Sequence, residues 1–348
     1  MNIIAVGINH KTAPISIREK FYLTPIQEDL LLSELKSDAA VTEAFVASTC
    51  NRTEVYVNVI DADYEIERVV MIICQIRGIG YNSGLMGYFY TYHDRVAVAH
   101  LMQVCAGLDS LVIGERQILG QMKSAFDKGQ QKGFFLKNFN ILANVAIRAG
   151  KKAQAETDIG IGGSSVSWAA IMTAERDLGS LSDKSVLMVG AGKMSKLAVG
   201  QISNKGFRKL YVMNRTEQHA RDLAARFEAE VVSFCDMKET LALVDLCVCS
   251  SSAPHYVIEA GVVEKCMAAR GQRPLMFVDI SMPRNIDPKI ALLDNVSLYH
   301  IDDLESVVEE SLLKRQAAVT AVNEIIAAKI DEFYTKIEKT GLFQTSDM

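Results

Sequence analysis

A short apolar strand followed directly by a Gly-Ala-Gly turn tells most about the fold class of this chain. Val186–Val189 is wholly apolar, Gly190-Ala191-Gly192 follows at once, and a helical pattern continues through Ile202. Further apolar strands alternate with helical segments at 210–213, 246–249 and 276–279. Continuous apolar strands with helices between them indicate a parallel sheet covered on both faces. The sequence therefore predicts a Rossmann-type α/β domain over 158–302.

The residues before this domain have a different pattern. A strand over Ile3–Ile8 precedes a helix that begins at Thr24-Pro25, and strands at 44–47 and 55–59 flank a polar loop with a cysteine at its tip. Helical patterns follow at 63–77 and, as one long run, at about 94–157. This order predicts an α+β domain on an antiparallel sheet over 1–157.

The last segment reads as one helix. From Asp302 to about Lys339 the chain has neither glycine nor proline, and its apolar residues recur at three- and four-residue steps. That spacing predicts a long helix with a single apolar seam, which packs along another domain or another chain. The sequence thus predicts an α/β multidomain protein whose third part, 303–348, is this long C-terminal helix.

Composition narrows the class of protein. Hydrophobic residues make up 49% and charged residues 23% of the 348 positions, as in a soluble globular protein. We find neither an apolar run of the ~20 residues that a membrane span needs nor a secretory leader. The seven cysteines form no CxxC pair, so we expect neither a disulfide framework nor a zinc or other metal site, and we expect a cytoplasmic protein. A net charge of -5 gives no global attraction for nucleic acid.

The glycine loop has the context of a dinucleotide site. It follows a strand and opens a helix, where backbone N–H groups approach a pyrophosphate closely. Arg215, after the second strand, stands where NAD enzymes place an acidic residue, and arginine instead accommodates a 2′-phosphate. We therefore predict NADP rather than NAD, bound by Gly190, Ala191, Gly192, Lys193, Met194, Ser195, Asn214, Arg215 and Thr216.

Cys50 is the thiol best placed for chemistry. It ends a strand beside Arg52, and nearby positive charge lowers a thiol pKa, although a structural role is the alternative. His93 and His100, seven residues apart, are candidates for proton transfer, with structural roles as the alternative. The block Gly107–Gln121 mixes polar with apolar residues, which indicates either a pocket wall or helix capping and buried salt bridges.

Several motifs in order resemble the glutamyl-tRNA reductase family, NADPH enzymes that open the five-carbon route to 5-aminolevulinate and tetrapyrroles. The resemblance runs from residue 3 to about 330. It is carried by Gly7–Pro14, Ser48–Tyr56, Gly107–Gln121, Glu156–Gly160, the Gly190 loop with Asn214–Thr216, and Leu298–Leu304.

The resemblance implies a mechanism and a site. Cys50 would attack the ester that joins glutamate to tRNA, and NADPH would reduce the resulting thioester to glutamate-1-semialdehyde. His100 falls on the histidine that matters for activity in the family, and Arg52 would grip the substrate carboxylate. The implied glutamyl pocket comprises Thr49, Cys50, Asn51, Arg52, Ser110, Glu115, Arg116, Gln117 and Gln121.

The chain departs from the family in two places. Arg116 stands where family members have proline, and the chain stops at Met348, where they continue into a helical dimerisation domain. The implied partners are glutamyl-tRNA(Glu) and the downstream glutamate-1-semialdehyde aminotransferase, with the family's homodimer left open. Two alternatives remain, a shikimate dehydrogenase-like NADP oxidoreductase and a non-enzymatic regulator that binds glutamyl-tRNA.

Overall fold

The computed structural model describes residues 1–160, 165–271, 273–304 and 316–341. The chain divides into two compact units, Met1–Ser164 with Ser311–Met348 and Ser165–Glu310. Among the described helices, none is both long enough and apolar enough to cross a membrane.

The first unit is built on an antiparallel sheet, as predicted. Its four strands lie in the order β2-β3-β1-β4. They are β1 Asn2–Asn9, β2 Val41–Ser48, β3 Arg52–Val59 and the unpredicted edge strand β4 Tyr90–His93. Alternate residues of β1 belong to two different hydrophobic clusters, Ile3 and Ala5 to one and Ile4 and Val6 to the other. Both faces of the sheet are therefore buried.

Helices cover both faces of this sheet. On one side lie α1 Ile15–Phe21, α2 Pro25–Ser37 and α3 Glu67–Arg77, and on the other α4 Asp94–Ala106, α5 Gln117–Gln131 and α6 Lys137–Glu156. A capping box between Thr24 and Gln27 starts α2. The single helical run predicted for 94–157 is wrong, because Gly107 adopts a φ of 79° that ends α4, and helix resumes only at Gln117.

The second unit is a parallel sheet of six strands in the order β10-β9-β8-β5-β6-β7. Counted from β5, this is the strand order of the Rossmann fold, so the predicted fold class is confirmed. The strands are β5 Ser185–Val189, β6 Lys209–Met213, β7 Glu230–Val231, β8 Leu246–Cys249, β9 Leu275–Asp279 and β10 Val296–His300. The helices are α7 Val166–Leu178, α8 Lys193–Lys205, α9 Glu217–Phe227, α10 Met237–Leu243 and α11 Ala260–Ala269.

The C-terminal helix α12, Gln316–Lys339, packs on α4 and α6 of the first unit. Its buried seam consists of Val322, Ile326, Ile330, Phe333 and Ile337. Ion pairs from Arg148 to Glu332 at 2.7 Å and from Arg95 to Asp331 at 2.6 Å flank that seam. The predicted start of the helix at Asp302 is wrong, because 301–304 form a short 3-10 helix, and 305–315 lie outside the described residues.

Candidate active site

Cys50 lies at the tip of a tight loop between β2 and β3. Thr49 Oγ1 accepts hydrogen bonds from the backbone N–H groups of Asn51 and Arg52, both at 3.2 Å. The Thr49 N–H donates in turn to the Arg52 carbonyl at 2.8 Å. These local hydrogen bonds replace further strand pairing at this point. They form a tight loop that holds Cys50 between β2 and β3.

The thiol is not pre-ionised, contrary to the sequence prediction. Burial, with the carboxylate of Glu115 as the next cause, raises the pKa of Cys50 to about 12. Arg18 and Arg52 act in the opposite direction, but they do not outweigh burial. The sequence predicted this effect for Arg52. Cys50 is therefore a neutral thiol in the free protein at neutral pH.

Arg52 is held by two carboxylates of the protein. Its Nη1 donates to Glu54 Oε1 at 2.6 Å and to Asp109 Oδ2 at 3.0 Å, while its Nη2 donates to the Asp109 carbonyl. Lys11 pairs with the other carboxylate oxygen of Asp109. Since the side chain of Arg52 is 1% exposed, its charge is compensated inside the protein. The free protein therefore already pairs Arg52 with its own carboxylates, and the binding of a substrate carboxylate by Arg52 stays a prediction.

Glu54 is the centre of this buried network. Besides Arg52, its carboxylate contacts the hydroxyls of Tyr56 and Tyr90 and, at 2.9 Å, His100 Nε2. Although burial alone would raise it, the pKa of Glu54 lies well below its usual value because Arg52 and His100 lie beside the carboxylate. Glu54 is therefore ionised in the folded protein, and it satisfies several donors at once.

His100 lies between this buried network and a cavity. Its ring contacts those of Tyr90 and Tyr92, with centroids at 5.2 and 4.8 Å, and it lines a cavity of about 380 Å³ together with Lys11 and Asp109. The connection that the structure gives His100 to the Cys50 loop runs through Glu54 and Arg52. This placement shows that His100 helps to position the network, and its part in proton transfer stays a prediction.

Glu54, His100 and Asp109 also have the arrangement of a candidate metal site. One possible ligand atom from each lies within 4.8 Å of the others. Arg52 Nη1 already donates to both carboxylates of the set. The guanidinium therefore supplies the positive charge that a metal ion would supply at this site. We therefore treat the cluster as a hydrogen-bond network that fixes Arg52.

Four buried polar atoms, on the turn after β1, in the Cys50 loop and between Gly107 and the start of α5, lack a hydrogen-bond partner. They are Asn51 Oδ1, Ser110 Oγ, Gln117 Nε2 and His10 Nδ1. Buried polar groups are nearly always paired, so each of these unsatisfied atoms is a candidate contact for a polar ligand. Burial, with Arg52 as the next cause, lowers the pKa of His10 to about 4, so this imidazole is neutral at pH 7.

The remaining predicted pocket residues lie in three different places. Glu115 is buried close enough to Cys50 to affect its pKa. Arg116 is exposed, and its Nε lies so near Gly160 that a Cβ built there would approach it to 2.8 Å. Gln121 is exposed on α5 and lines a second cavity together with Thr49. The place of Arg116 in the glutamyl pocket stays a prediction.

The sequence prediction missed four residues of the site, namely Lys11, Glu54, Asp109 and His10. One signal for Glu54 was available, because Arg52, Glu54 and Tyr56 alternate along β3 and so point to the same face. Two charged residues at adjacent inward positions of a buried strand require partners. Nothing local, however, indicated that Asp109 would be one of them.

The glycine loop of the second unit fits a dinucleotide. Gly190 has a φ of 108°, and a Cβ there would lie 2.0 Å from the Ser250 carbonyl oxygen. Ser195, at the position of the third glycine of the motif, is buried and donates to the same oxygen at 3.2 Å. Gly192 caps α8, whose first N–H groups face the loop. Only glycine suits position 190, and a small residue suits position 195.

The neighbouring strand β6 ends at the same edge. Val189 of β5 pairs with Met213 of β6, and the Gly190 N–H donates to the Met213 carbonyl at 2.7 Å. Asn214 turns the chain through a bond from Nδ2 to the Thr216 carbonyl at 2.8 Å, which leaves Arg215 exposed beside the glycine loop. This is the position from which a side chain reaches the ribose of a bound dinucleotide.

Two family models match different parts of this chain. Residues 6–157 match the family described as glutamyl-tRNAGlu reductase, N-terminal domain, and residues 172–307 match the family described as shikimate / quinate 5-dehydrogenase. A solved structure, glutamyl-tRNA reductase from Methanopyrus kandleri, aligns with a TM-score of 0.54 and 31% identity, covering 97% of this chain and 81% of that one.

A curated relative covers nearly the whole chain. Glutamyl-tRNA reductase of Bacillus pumilus (strain SAFR-032) is 38% identical over 342 residues, which are 98% of this chain and 75% of the relative. The shikimate dehydrogenase match is confined to the second unit, whereas this similarity includes the Cys50 loop and the buried network. The chain therefore belongs to the glutamyl-tRNA reductase family, oxidoreductases with a dinucleotide-binding fold.

Proposed function

We propose that this chain reduces glutamyl-tRNA(Glu) to glutamate-1-semialdehyde through a thioester on Cys50, with NADPH as the cofactor. The proposal assigns catalysis to 1–157, cofactor binding to 158–302 and a connecting role to the helix in 303–348. It places the reaction at the start of the five-carbon route to 5-aminolevulinate. The aldehyde product would pass to an aminotransferase.

The observation that carries the proposal is the set of unsatisfied polar atoms in the Cys50 loop and in the segment from Ser110 to Gln117. A glutamyl group has an ammonium, which needs acceptors, and a carboxylate, which needs donors. Asn51 Oδ1 and the buried carboxylate of Glu115 supply acceptors, while Gln117 Nε2 and Ser110 Oγ supply donors. A substrate bound in this way would satisfy Asn51 Oδ1, Ser110 Oγ and Gln117 Nε2, which have no hydrogen-bond partner in the free protein.

Cys50 then forms the covalent bond. Its sulfur attacks the ester carbonyl carbon, the C–S bond forms as the C–O bond to the tRNA ribose breaks, and the thiol proton passes to that ribose oxygen. Because the Glu115 carboxylate raises the pKa of Cys50, an ammonium that neutralises Glu115 would lower it. The correct substrate would thereby help to activate its own nucleophile.

The second unit would bind the cofactor that reduces the thioester. The Gly190 loop and the N-terminus of α8 would hold the pyrophosphate, and Arg215 would contact a 2′-phosphate. Bound NADPH supplies a hydride to the thioester carbonyl carbon. The tetrahedral alkoxide collapses as the C–S bond breaks, Cys50 leaves as a thiolate that takes a proton from water, and the aldehyde is released.

The test is product formation from glutamyl-tRNA and NADPH by wild type, Cys50→Ser and Cys235→Ser. Cys235 is an exposed thiol of the second unit and serves as the matched control. We expect Cys50→Ser to lose semialdehyde formation and labelling by radioactive glutamate, and Cys235→Ser to keep both. Equal activity of all three proteins would refute covalent catalysis at Cys50. Oxidation of shikimate with NADP by the wild type would instead support the dehydrogenase alternative.

A further inference from the structure

Two loops leave the carboxyl edge of the parallel sheet in the second unit. The β8 loop comprises 250–258 and the β9 loop comprises 280–286, each directly after its strand. The β8 loop begins against the glycine loop, because the Ser250 carbonyl accepts from Ser195 Oγ at 3.2 Å and the Ser250 N–H donates to the Val189 carbonyl at 2.8 Å. Both loops therefore leave the sheet at the edge where Rossmann domains bind a dinucleotide.

One buried side chain joins the two loops. Asn285 belongs to the β9 loop and is 0% exposed. Its Nδ2 donates to the carbonyl groups of Ala253 and His255 in the β8 loop, at 2.9 and 3.3 Å, and to that of Pro283 in its own loop, at 3.2 Å. Its Oδ1 accepts a hydrogen bond from the hydroxyl of Ser251. The amide of Asn285 is therefore both a donor and an acceptor toward the β8 loop.

The backbone of Asn285 strengthens this connection. Its carbonyl accepts from the N–H groups of Val257 and Ile258 in the β8 loop, at 2.6 and 3.0 Å. Its N–H donates to Asp279 Oδ2 at 2.8 Å, and the buried Asp279 carboxylate accepts from two further N–H groups of the β9 loop. Loops are usually the more mobile parts of a protein, whereas a fully satisfied buried network makes its members rigid. Asn285 therefore holds the two loops as one rigid body.

The position of this network indicates what it supports. A Rossmann domain has two mononucleotide-binding halves, and the dinucleotide lies across the crevice where the strand order reverses, here between β5 and β8. The half with β5–β7 carries the glycine loop and Arg215, to which the proposed function assigns the pyrophosphate and the 2′-phosphate of the adenosine. The nicotinamide nucleotide is then left to the half with β8–β10, whose first two loops Asn285 joins.

A purely structural role for such a side chain is the alternative, and the opposite edge of the sheet provides an example. Arg270 is 5% exposed, and its guanidinium donates to the carbonyl groups of Leu241, Val244 and Pro274. Val244 and Pro274 lie just before β8 and β9, at the amino ends of these strands. Arg270 therefore joins the same two strands at the edge that does not bind the dinucleotide.

We propose that Asn285 is a positioning residue for the nicotinamide half of NADPH, because it holds the β8 loop and the β9 loop in the shape to which that half binds. This inference rests on the proposed function, which supplies NADPH as the cofactor. Since Asn285 is buried, it acts through the loops and not by contact with the cofactor. The amide is required, because a carboxylate of the same size would face the same three carbonyl oxygens without a proton to donate.

The test compares NADPH with adenosine 2′,5′-bisphosphate, a ligand that keeps the groups assigned to Arg215 and the glycine loop but lacks the nicotinamide nucleotide. Calorimetry with the intact protein gives the Kd of both ligands for wild type, Asn285→Asp and Arg270→Lys. Arg270→Lys is the matched structural control, because it keeps the charge and weakens a set of carbonyl contacts of the same kind. Ser251→Ala is a milder second variant, which removes the hydroxyl that donates to Asn285 Oδ1.

We expect Asn285→Asp to raise the Kd of NADPH by about tenfold or more and that of the bisphosphate by less than about twofold. Ser251→Ala should raise the Kd of NADPH relative to that of the bisphosphate by about threefold, the effect of one hydrogen bond. Arg270→Lys should unfold at a lower urea concentration and keep the wild-type ratio of the two Kd values. Circular dichroism shows whether each variant folds, and if Asn285→Asp does not, the ratio for Ser251→Ala decides.

Four results would overturn the inference. They are a folded Asn285→Asp protein with both Kd values unchanged, an equal weakening of both ligands, the same selective loss in Arg270→Lys, and a wild type that binds NADPH no more tightly than the bisphosphate. Failure of the proposed function gives a different result. Glutamyl-tRNA then stays unreduced, although wild type binds NADPH and Asn285→Asp still loses NADPH selectively.

Discussion

Arg52 Nη1 lies 2.6 Å from Glu54 Oε1, and neither side chain is more than 1% exposed. The pair links the loop that carries Cys50 to the middle of the sheet, because Arg52 is the first residue of β3 and Glu54 follows two positions later. A buried ion pair is strongly coupled to the protein around it, since either charge alone would be costly to bury. The position of the loop that carries Cys50 therefore depends on this buried ion pair.

Replacing Glu54 by glutamine should destabilise the first unit. Arg52 would lose one of its two carboxylate partners, and breaking a buried pair costs roughly 3–5 kcal/mol of the free energy of unfolding. Urea unfolding followed by circular dichroism measures the change. The exposed Glu34→Gln should unfold at the wild-type urea concentration. A Glu54→Gln protein as stable as wild type would show that the pair contributes nothing.

The same pair predicts a dependence on pH. The folded pKa of Glu54 lies below its unfolded value of about 4.3, so its contribution is complete above that value and is lost as pH falls through the folded pKa. The stability difference between wild type and Glu54→Gln should therefore narrow on acidification below about pH 4. A difference that widens in acid would contradict the assigned direction of the pKa shift.

The fold was more predictable from the sequence than the site was. Val186–Val189 and its neighbours predict a buried parallel sheet because apolar runs of strand length have few other uses. The break in the helical run was not predicted, since Leu111, Val112 and Ile113 keep the loop after Gly107 as apolar as a helix. These side chains are buried or partly buried without belonging to a helix.

The electrostatics of Cys50 show why the site was harder to predict. The sequence places Arg52 near the thiol, and that arginine does act to lower the pKa. Burial and Glu115 decide the net direction, and both depend on how segments more than 60 residues apart pack together. The pairing of Arg52 with Asp109 is likewise a product of tertiary structure.

Removing the charge of Glu115 should make Cys50 more reactive. After burial, this carboxylate is the main cause that raises the pKa of the thiol, so Glu115→Gln should lower the pKa of Cys50 from about 12. We expect Cys50 to react with iodoacetamide about threefold to tenfold faster than in wild type at pH 8. Peptide mass spectrometry gives the rate at each cysteine. The exposed Cys235 should keep its rate in both proteins, and an unchanged or slower Cys50 would contradict the prediction.

The glycine loop offers a matched pair of substitutions. Gly190→Ala would place a Cβ 2.0 Å from the Ser250 carbonyl at a φ of 108°, whereas Gly192→Ala meets nothing within 4 Å. We expect backbone strain in Gly190→Ala to lower the free energy of unfolding by about 1–3 kcal/mol. Gly192→Ala should stay within about 0.5 kcal/mol of wild type. Thermal unfolding followed by the fluorescence of Trp168, the single tryptophan, reports on the second unit. Equal stability of the two variants would contradict the crowding at position 190.

Arg215→Asp should change the choice of cofactor. Arg215 is exposed at the end of β6, beside the glycine loop, where an arginine receives a 2′-phosphate and an acidic residue would bind the ribose hydroxyl instead. We expect the Kd for NADPH to rise by about tenfold or more, which is ~1.4 kcal/mol, while the Kd for NADH changes little or falls. Calorimetric titration of both cofactors measures this. Arg221→Asp, on α9 and paired with Glu217 in the wild type, is the control and should leave the preference unchanged. If Arg215→Asp weakened both cofactors equally, this arginine would not be the residue that distinguishes them.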